Sequence, residues 1–508
     1  MKRRHIFTAL FALGLGLLGG QALDAKKLVI LHTNDTHSLI DADDTDGLGG
    51  VVRRKVVFDS VRAAEPNVMI IDAGDIVQGT LYFNLYKGEV EQKAMNALGY
   101  DMQVLGNHEF DNAMEGLAKM YAIAEPELVS TNYDMSKSIL DGKFKRYLTR
   151  TFDGVKVGFL GINLQPKGMV AEGNYEGVEY LDAIEAANAA AWWLKNVDSC
   201  KVVVAVTHIG YNPQMPPGDL QLAAESSNID VIIGGHSHDL INPADGKHKW
   251  LVPNRHGQDV LIAQAGKGAK NIGYIAIDLD DKSKEYKLIP VDSRLDDRID
   301  VLMAELIAPY RAGVDSLMHH PIGRTARELD QKSDALLNWG SDVVLRRGRQ
   351  LAEGVELGLL NKGGIRRGLP GGNISEGQII TMLPFNNRVQ VIDIKGSDLR
   401  GAFEQMARTG GNGVSEGVEA TFIPTVDGSS AVLGTVMING KPLDDNKIYR
   451  VATIDYLANG GDYMSTLANH TLVAESPNVL YNDVLDYIRT LKNKKINPSD
   501  EKRFHPAE

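Results

Sequence analysis

Side chains suited to divalent metals recur directly after short apolar runs. Asp35 and His37 stand in Asn34-Asp35-Thr36-His37, behind the run 28–33, and Asp75 closes Asp72-Ala73-Gly74-Asp75. Asn107 and His108 follow the run 102–105, with Asp111 three residues on. His208 follows 202–207, and His236 and His238 follow 231–234. Each fragment alone has a bland explanation, because an aspartate can cap a helix and a strand-end histidine can bond to backbone. Together they are carboxylates, imidazoles and one amide, a donor set that suits zinc or manganese. Asp35, His37, Asp75, Asn107, His208, His236 and His238 are too many for one tetrahedral ion. With one aspartate as a bridge, they supply four ligands to each of two ions. Two ions about 3.5–4 Å apart lower the pKa of a bound water and clamp phosphate oxygens, which is two-metal hydrolysis. His108 is placed to face a phosphoryl oxygen, with Asp111 orienting its ring. His32 has the opposite strand parity to Asp35 and His37 and reads as a buried structural histidine.

The apolar runs must be strands for these residues to converge. Strands are predicted at 28–33, 68–72, 102–105, 155–162, 202–207, 231–234 and 260–263, with helical patterns at 50–64, 89–98 and 182–196 between them. That alternation is an α/β signature, and such folds gather ligands at the carboxyl ends of their strands. An alternating run at 271–280 makes the sheet mixed rather than purely parallel. The pattern then becomes polar, and a helix-like stretch from 298 to 316 reads as a connector. A second α/β or α+β unit starts near Pro321, with strands at 355–360, 389–394 and 432–438 and helices at 333–347, 399–407 and 484–491. The last residues, 497–508, are polar and read as a loose tail.

Composition narrows the partners. The chain has 508 residues, 54 lysines and arginines against 66 aspartates and glutamates, and a net charge of −12. No broad basic surface is implied, so a polymeric nucleic acid is excluded as the partner, while a small anion held by metals and a few cations is not. Cys200 is the single cysteine, so neither an intrachain disulfide nor a cysteine-rich metal site forms. Lys2, Arg3 and Arg4 precede an apolar run from Ile6 to about Gly20 and small residues at Gly20 and Ala22. This is a signal-peptide pattern, cut near Ala22 or Ala25, which sends the protein across the inner membrane to the periplasm or cell exterior. No later run reaches membrane-span length, so no stable membrane insertion is expected. No feature selects a monomer or an oligomer.

The strings Leu31-His32-Thr33-Asn34-Asp35-Thr36-His37, Asp72-Ala73-Gly74-Asp75, Gly106-Asn107-His108-Glu109-Phe110-Asp111, Thr207-His208 and Gly234-Gly235-His236-Ser237-His238 closely resemble those of the secreted and periplasmic 5'-nucleotidases, in the calcineurin-like metallophosphoesterase superfamily. The resemblance implies an α/β protein with an N-terminal metallophosphoesterase β-sandwich flanked by helices and a C-terminal α/β nucleotidase domain that binds substrate. The expected divisions are a signal peptide at 1–25, a two-metal domain at 26–300, a linker helix at 301–320, a nucleotide-binding domain at 321–496 and a polar tail at 497–508. By the same resemblance Asp35, His37, Asp75 and His238 hold one metal, and Asp75, Asn107, His208 and His236 the other. His108 and Asp111 are then the transition-state dyad.

In the second domain, Asn361-Lys362-Gly363-Gly364-Ile365-Arg366 resembles the family's Asn-Gly-Gly-Gly-Ile-Arg element. It implies that Asn361 and Gly364 shape the nucleoside pocket and that Arg366 meets phosphate. Phe385, in Leu383-Pro384-Phe385-Asn386-Asn387, and Tyr456 would form two aromatic walls around the base, and Asp462 would accept from ribose hydroxyls. Stacking tolerates many bases, and a guanidinium fork matches phosphate oxygens. One departure stands out. Lys332 occupies the place of a phosphate-facing arginine, offering a point charge instead of a fork, with Arg324 or Arg367 as possible compensation. The implied function is hydrolysis of nucleoside 5'-monophosphates to nucleoside and phosphate by metal-bound water. The alternatives are a 2',3'-cyclic nucleotide phosphodiesterase, a nucleotide-sugar or diphosphate hydrolase, or a non-catalytic nucleotide-binding surface protein.

Overall fold

The computed structural model describes residues 26–213, 217–426 and 428–507; the leader expected at 1–25 lies outside them. The N-terminal domain is a sandwich of two six-stranded sheets. One runs Lys284–Pro290, Asn271–Asp278, Lys27–Thr33, Val68–Asp72, Met102–Gln103 and Glu127–Leu128. The other runs Leu251–Pro253, Asp259–Ala263, Val231–Ile233, Val202–His208, Val155–Asn163 and Tyr147–Phe152. Inner strands pair in parallel, so the motifs that follow Thr33, Asp72, Gln103, His208 and Ile233 emerge at one end. Antiparallel strands lie toward the edges, as the alternation at 271–280 predicts.

The apolar runs are continuous because these strands are buried on both faces. Ile30, Ile71 and Val104 point into the space between the sheets and meet Phe159, Val204 and Ile232. Their sequence neighbours Val29, Leu31 and Ile70 face outward and pack under the helices Val51–Ala64 and Glu89–Leu98. Each such side chain, fully removed from water, contributes about 1.5–3 kcal/mol, so the strand ends that carry the polar motifs are rigidly placed.

The connector is more than a spacer. The helix Val301–Met318 starts on an Asp300 cap, whose side chain accepts from Met303 N–H. Met303 and Ile307 join the N-terminal core, and Tyr310 meets the edge of Tyr86 at 4.8 Å. The C-terminal domain then follows from Pro321. Its five-stranded sheet runs Gly413–Val414, Leu357–Leu360, Ile448–Ile454, Arg388–Lys395 and His470–Val479, with Asp334–Leu351 and Gly396–Arg408 among its helices. A four-stranded sheet adjoins it.

The tail differs from the loose segment expected. Phe504–Pro506 adds a parallel strand to Val418–Pro424, and Arg503 is buried against Asp342, 2.7 Å away. Asn338 donates to the Ser499 and Glu501 carbonyls at 3.0 and 2.8 Å. A polar composition concealed this because the tail docks through backbone bonds, ion pairs of Arg503 with Asp342 and of Asp500 with Arg327, and one aromatic anchor, Phe504 against Phe403 and Phe422, rather than a periodic apolar face.

His32 is fully buried, as predicted, and stacks on Tyr286 with ring centres 6.0 Å apart. Neither ring nitrogen has a hydrogen-bond partner, and burial pushes its pKa down to about 3. A histidine whose folded pKa lies below its unfolded value stays neutral when folded but takes up a proton when unfolded. Its stabilising effect is therefore complete above about pH 6.5 and is lost as the pH falls toward 3, by up to about 1.4 kcal/mol per pH unit. His32→Leu is expected to flatten the acid side of the stability profile of the metal-free protein, as measured by urea unfolding between pH 7 and 4. An unchanged slope would assign the acid sensitivity to other groups.

Candidate metal centre

The loops after the strands hold their side chains by strained backbone. Asp35, His37, Asp75, His236 and His238 all have positive φ, between 48° and 78°. Such conformations cost of order 1–3 kcal/mol each for non-glycine residues and persist only where surrounding bonds fix them. Here those bonds run between the loops. Asp35 N–H donates to the Gly74 carbonyl at 2.9 Å and His37 N–H to the Asp75 carbonyl at 3.0 Å. His236 N–H reaches the Asp35 carboxylate at 3.0 Å, and His108 N–H reaches Asp75 Oδ1 at 2.9 Å. Gly106 is required by this closeness, since a Cβ there would run into the Asp75 carboxylate.

Glu109 belongs to the third motif without a role predicted from it, and the structure supplies one. Its buried carboxylate accepts from the N–H groups of Asp75, Ile76 and Gly106 at 3.1, 2.8 and 2.6 Å. Burial, then the neighbouring Asp75 charge, pushes its pKa up to about 8. Its place between His108 and Phe110 is the sequence signal it carries, because Asp75 and Ile76 lie on a loop more than thirty residues earlier.

The donor atoms converge. His37 Nε2 and His238 Nε2 are 3.0 Å apart, and Asp35 Oδ1 lies 3.4 Å from His238 Nε2 and 3.9 Å from both His37 Nε2 and His208 Nε2. Asp75 Oδ2 lies 3.2 Å from His208 Nε2 and 3.9 Å from His37 Nε2. His236 Nδ1 is 3.0 Å from Asn107 Oδ1 and so brings these two residues together. Asp35, His37 and His238 form one candidate cation cluster, and Asp35, Asp75 and His208 another.

The chemistry of the donors fits a metal pair. His208 Nδ1–H donates to the Ala73 carbonyl at 2.7 Å, so the neutral ring aims a lone pair from Nε2 at Asp75. That buried nitrogen lies 3.2 Å from Asp75 Oδ2, and the pair calls for positive charge between them, which a proton or a divalent ion supplies. His37 is fixed likewise, with Nδ1–H donating to the Gln78 carbonyl at 3.0 Å. Burial resists charging Asp35, but His238 and then His208 hold its carboxyl below the usual range. Burial also resists protonation of His208, yet Asp75 pushes its pKa up to about 10. His236 is pushed down to about 4 by burial and by His208. A proton on His208 meets the same electrostatic demand that a divalent ion meets more fully.

Beside the cluster, His108 Nδ1 bonds Asp111 Oδ2 at 3.0 Å. Burial opposes charge on His108, but Asp111 and Asp75 overcome it and raise its pKa. From the second domain, Phe385 stacks on His108 with ring centres 5.8 Å apart, and the Arg366 guanidinium lies 5.8 Å over the Phe385 ring. Tyr456 Oη donates to Asp462 Oδ1 at 2.9 Å and accepts from Asp462 N–H at 3.0 Å, while Asn361 Nδ2 donates to Asp462 Oδ2 at 2.6 Å. Gly364 is buried against Asn361, whose Oδ1 would be 2.7 Å from a Cβ there. A cavity of about 440 Å³ joins the two domains, lined by Asp75, Asn107, His108, His236 and His238 on one side and by Asn361, Arg366, Phe385, Tyr456 and Asp462 on the other.

Lys332 lies apart from this assembly. It is exposed on the turn before Asp334–Leu351, its N–H donates to Asp330 Oδ1 at 2.8 Å, and it does not line that cavity. Its position follows from the turn at Asp330, which directs the residue to solvent. Arg324 is also exposed, and Arg367 is engaged with Asp43 at 3.0 Å.

Comparison with known proteins agrees with this geometry. Residues 28–240 match the family model for calcineurin-like phosphoesterase, and residues 314–469 match the 5'-nucleotidase C-terminal domain. The chain is 29% identical to a 5'-nucleotidase of Homo sapiens over 98% of this chain and 94% of that protein. It is 27% identical to the trifunctional nucleotide phosphoesterase protein YfkN of Bacillus subtilis, over 94% of this chain but 35% of that longer protein. The crystal structure of a 5'-nucleotidase precursor from Thermus thermophilus superimposes with a TM-score of 0.82 at 29% identity, covering 94% of this chain and 99% of the other.

Proposed function

Since its two domains are a calcineurin-like phosphoesterase and a 5'-nucleotidase C-terminal domain, the chain belongs to the 5'-nucleotidase metallophosphoesterases, and we propose that it hydrolyses nucleoside 5'-monophosphates to nucleoside and phosphate. One observation carries this reading: the same cavity holds the metal-ligating cluster at one end and an aromatic, carboxylate-bearing pocket at the other. Divalent ions held by the cluster lower the pKa of water and neutralise phosphate oxygens. Asp35, His37, Asp75 and His238 are proposed for one ion, and Asp75, Asn107, His208 and His236 for the other.

The chain's own residues then orient the substrate. Phe385 and Tyr456 offer faces to a base, Asp462 and Asn361 offer an acceptor and a donor to the sugar, and Gly364 lets Asn361 approach. Arg366 offers its guanidinium to the phosphate. Water adds to phosphorus and the bond to O5' breaks, with the departing oxygen ending as the nucleoside hydroxyl. His108, oriented by Asp111, donates from Nε2 to a phosphoryl oxygen as charge builds there. The basic and apolar leader pattern implies that this chemistry takes place after export from the cytoplasm. Among the described residues, no helix is long and apolar enough to cross a membrane.

A phosphate-release panel on the metal-reconstituted protein tests the proposal. It should compare 5'-, 3'- and 2',3'-cyclic nucleotides, a nucleotide sugar and a non-nucleotide ester. The expected result is the highest kcat/KM on 5'-monophosphates; equal rates on the non-nucleotide ester would sink it. In the same assay Phe385→Ala is expected to raise KM about tenfold or more with a smaller change in kcat, because base stacking contributes about 1–3 kcal/mol. A fall in kcat at constant KM would move Phe385 from base binding to support of His108.

A further inference from the structure

The acidic loop Asp41-Ala42-Asp43-Asp44-Thr45-Asp46 comes soon after the proposed ligands Asp35 and His37, and neither the motifs nor the proposed roles use it. Asp43 is its buried member. Asp43 N–H donates to the Leu48 carbonyl at 2.8 Å, and the Asp43 carbonyl accepts from Gly47 N–H at 2.7 Å, so the loop closes on itself with Asp43 at its base. The Thr45 N–H and hydroxyl donate to Asp43 Oδ1 at 3.0 and 2.8 Å, and Lys270 Nζ lies 2.8 Å from Oδ2. Burial resists charging Asp43, but hydrogen bonds from Lys270, Thr45 and Arg367 hold its carboxyl below the usual range. The metal-binding domain thus fixes this carboxylate from several sides.

Arg367 reaches it from the other domain. Its Nη1 donates to Asp43 Oδ1 at 3.0 Å and its Nη2 to Oδ2 at 3.4 Å, a fork across both carboxylate oxygens. Among the described residues, this is the one ion pair that joins 26–300 to 321–507. The preceding residue, Arg366, sends its side chain elsewhere. It lines the cavity with Asp75, His108 and Phe385, and its Nε and Nη2 are buried without hydrogen-bond partners. Arg366 N–H donates to the Met382 carbonyl at 2.8 Å, and Leu369 N–H to the Leu329 carbonyl at 2.9 Å. Backbone bonds therefore hold the segment 366–369 in its own domain, and the Arg367 side chain holds it against the other. The segment that carries Phe385 is docked separately and by neutral groups: Asn84 Nδ2 donates to the Pro384 carbonyl at 2.6 Å, and Asn386 Nδ2 to Asn112 Oδ1 at 3.3 Å.

We propose that Asp43 and Arg367 are positioning residues, whose ion pair docks the Arg366 segment on the metal-binding domain and sets the Arg366 guanidinium where it meets the substrate's phosphate. Placement matters here because a shift of about 1 Å in a binding group can cost about 10²-fold in rate. The pair also commits Arg367 to Asp43 instead of the phosphate. The inference rests on the phosphoester-hydrolase reading of the cleft.

The test uses the full metal-reconstituted protein, the KM and kcat for a nucleoside 5'-monophosphate, and the inhibition constants of inorganic phosphate and of the product nucleoside. Arg367→Ala and Asp43→Asn are each expected to weaken phosphate inhibition and raise KM about tenfold, with nucleoside inhibition within about twofold, as for loss of one charge-assisted hydrogen bond to phosphate. Since both act through Arg366, adding Arg367→Ala to Arg366→Ala should change KM by less than about twofold. Arg367→Lys keeps the charge without the fork and should recover part of the loss. Unchanged phosphate inhibition and KM in both single variants, with phosphate still released, would overturn the inference while leaving the function intact. Equal weakening of nucleoside and phosphate would overturn it too, by making the pair a general contact between the domains. So would an undiminished effect of Arg367→Ala in the Arg366→Ala background, which would make Arg367 a phosphate contact in its own right. Absence of phosphate release by the unmodified protein would instead remove the reading on which the inference rests.

Discussion

Asp75→Ala is expected to lower turnover about a thousandfold or more and to leave the protein with less than its full complement of divalent metal. The size follows from position. Asp75 Oδ2 lies between His208 Nε2 and His37 Nε2, and Oδ1 also fixes the His108 N–H. One substitution therefore weakens both proposed ion sites and loosens the loop bearing His108, the residue proposed to meet the phosphoryl oxygen. Loss of a single preorganised electrostatic group costs about 10²–10³ in kcat, and this change removes more than one. The metal-free fold is expected to persist with a lowered unfolding midpoint, because burial resists charging Asp75 but His208 and then His108 hold its carboxyl well below the usual range, and its removal gives up that attraction. Elemental analysis of the reconstituted protein, turnover and the unfolding midpoint of the metal-free protein check this together. Full activity with both ions retained would move the bridge elsewhere, with Asp35 the next carboxylate in the cluster.

His108→Ala is expected to lower kcat about 10²–10³-fold while metal content stays the same. His108 bonds Asp111 at 3.0 Å, packs against Phe385 and has Asp75 nearby, so its ring is held from three sides with Nε2 left for substrate. The contrast with Asp75→Ala is the decisive feature, because one variant loses chemistry alone and the other loses chemistry and metal. Asp111→Asn should fall between His108→Ala and the unmodified protein, since it keeps a hydrogen-bond acceptor but removes the charge that favours imidazolium. Loss of metal in His108→Ala would make the histidine a ligand, a role its place beside His37 and Asp75 also permits.

Much of the centre was legible in the sequence because its determinants are local. Asp35, His37, Asp75, Asn107, His208, His236 and His238 each follow an apolar run within a few residues, and parallel pairing of those runs brings their ends together. The same regularity separated the two domains and identified His32 as a buried residue. Phe385, Tyr456 and Asp462 are candidates through the wording of their motifs, and they line the same cavity as Asp75, His108, His236 and His238.

The partners of charged groups were decided only by the folded chain. Glu109 reaches the N–H groups of Asp75 and Ile76 across the sheet ends, and Arg503 finds Asp342 far back along the chain. Lys332 shows the difference most sharply, since it stands beside the expected motif yet is exposed and does not line the cleft. Apolar periodicity specifies which face of a strand or helix is buried, because burial repeats every two or 3.6 residues. A cation's role depends on charges that arrive from another domain, and no local period records them.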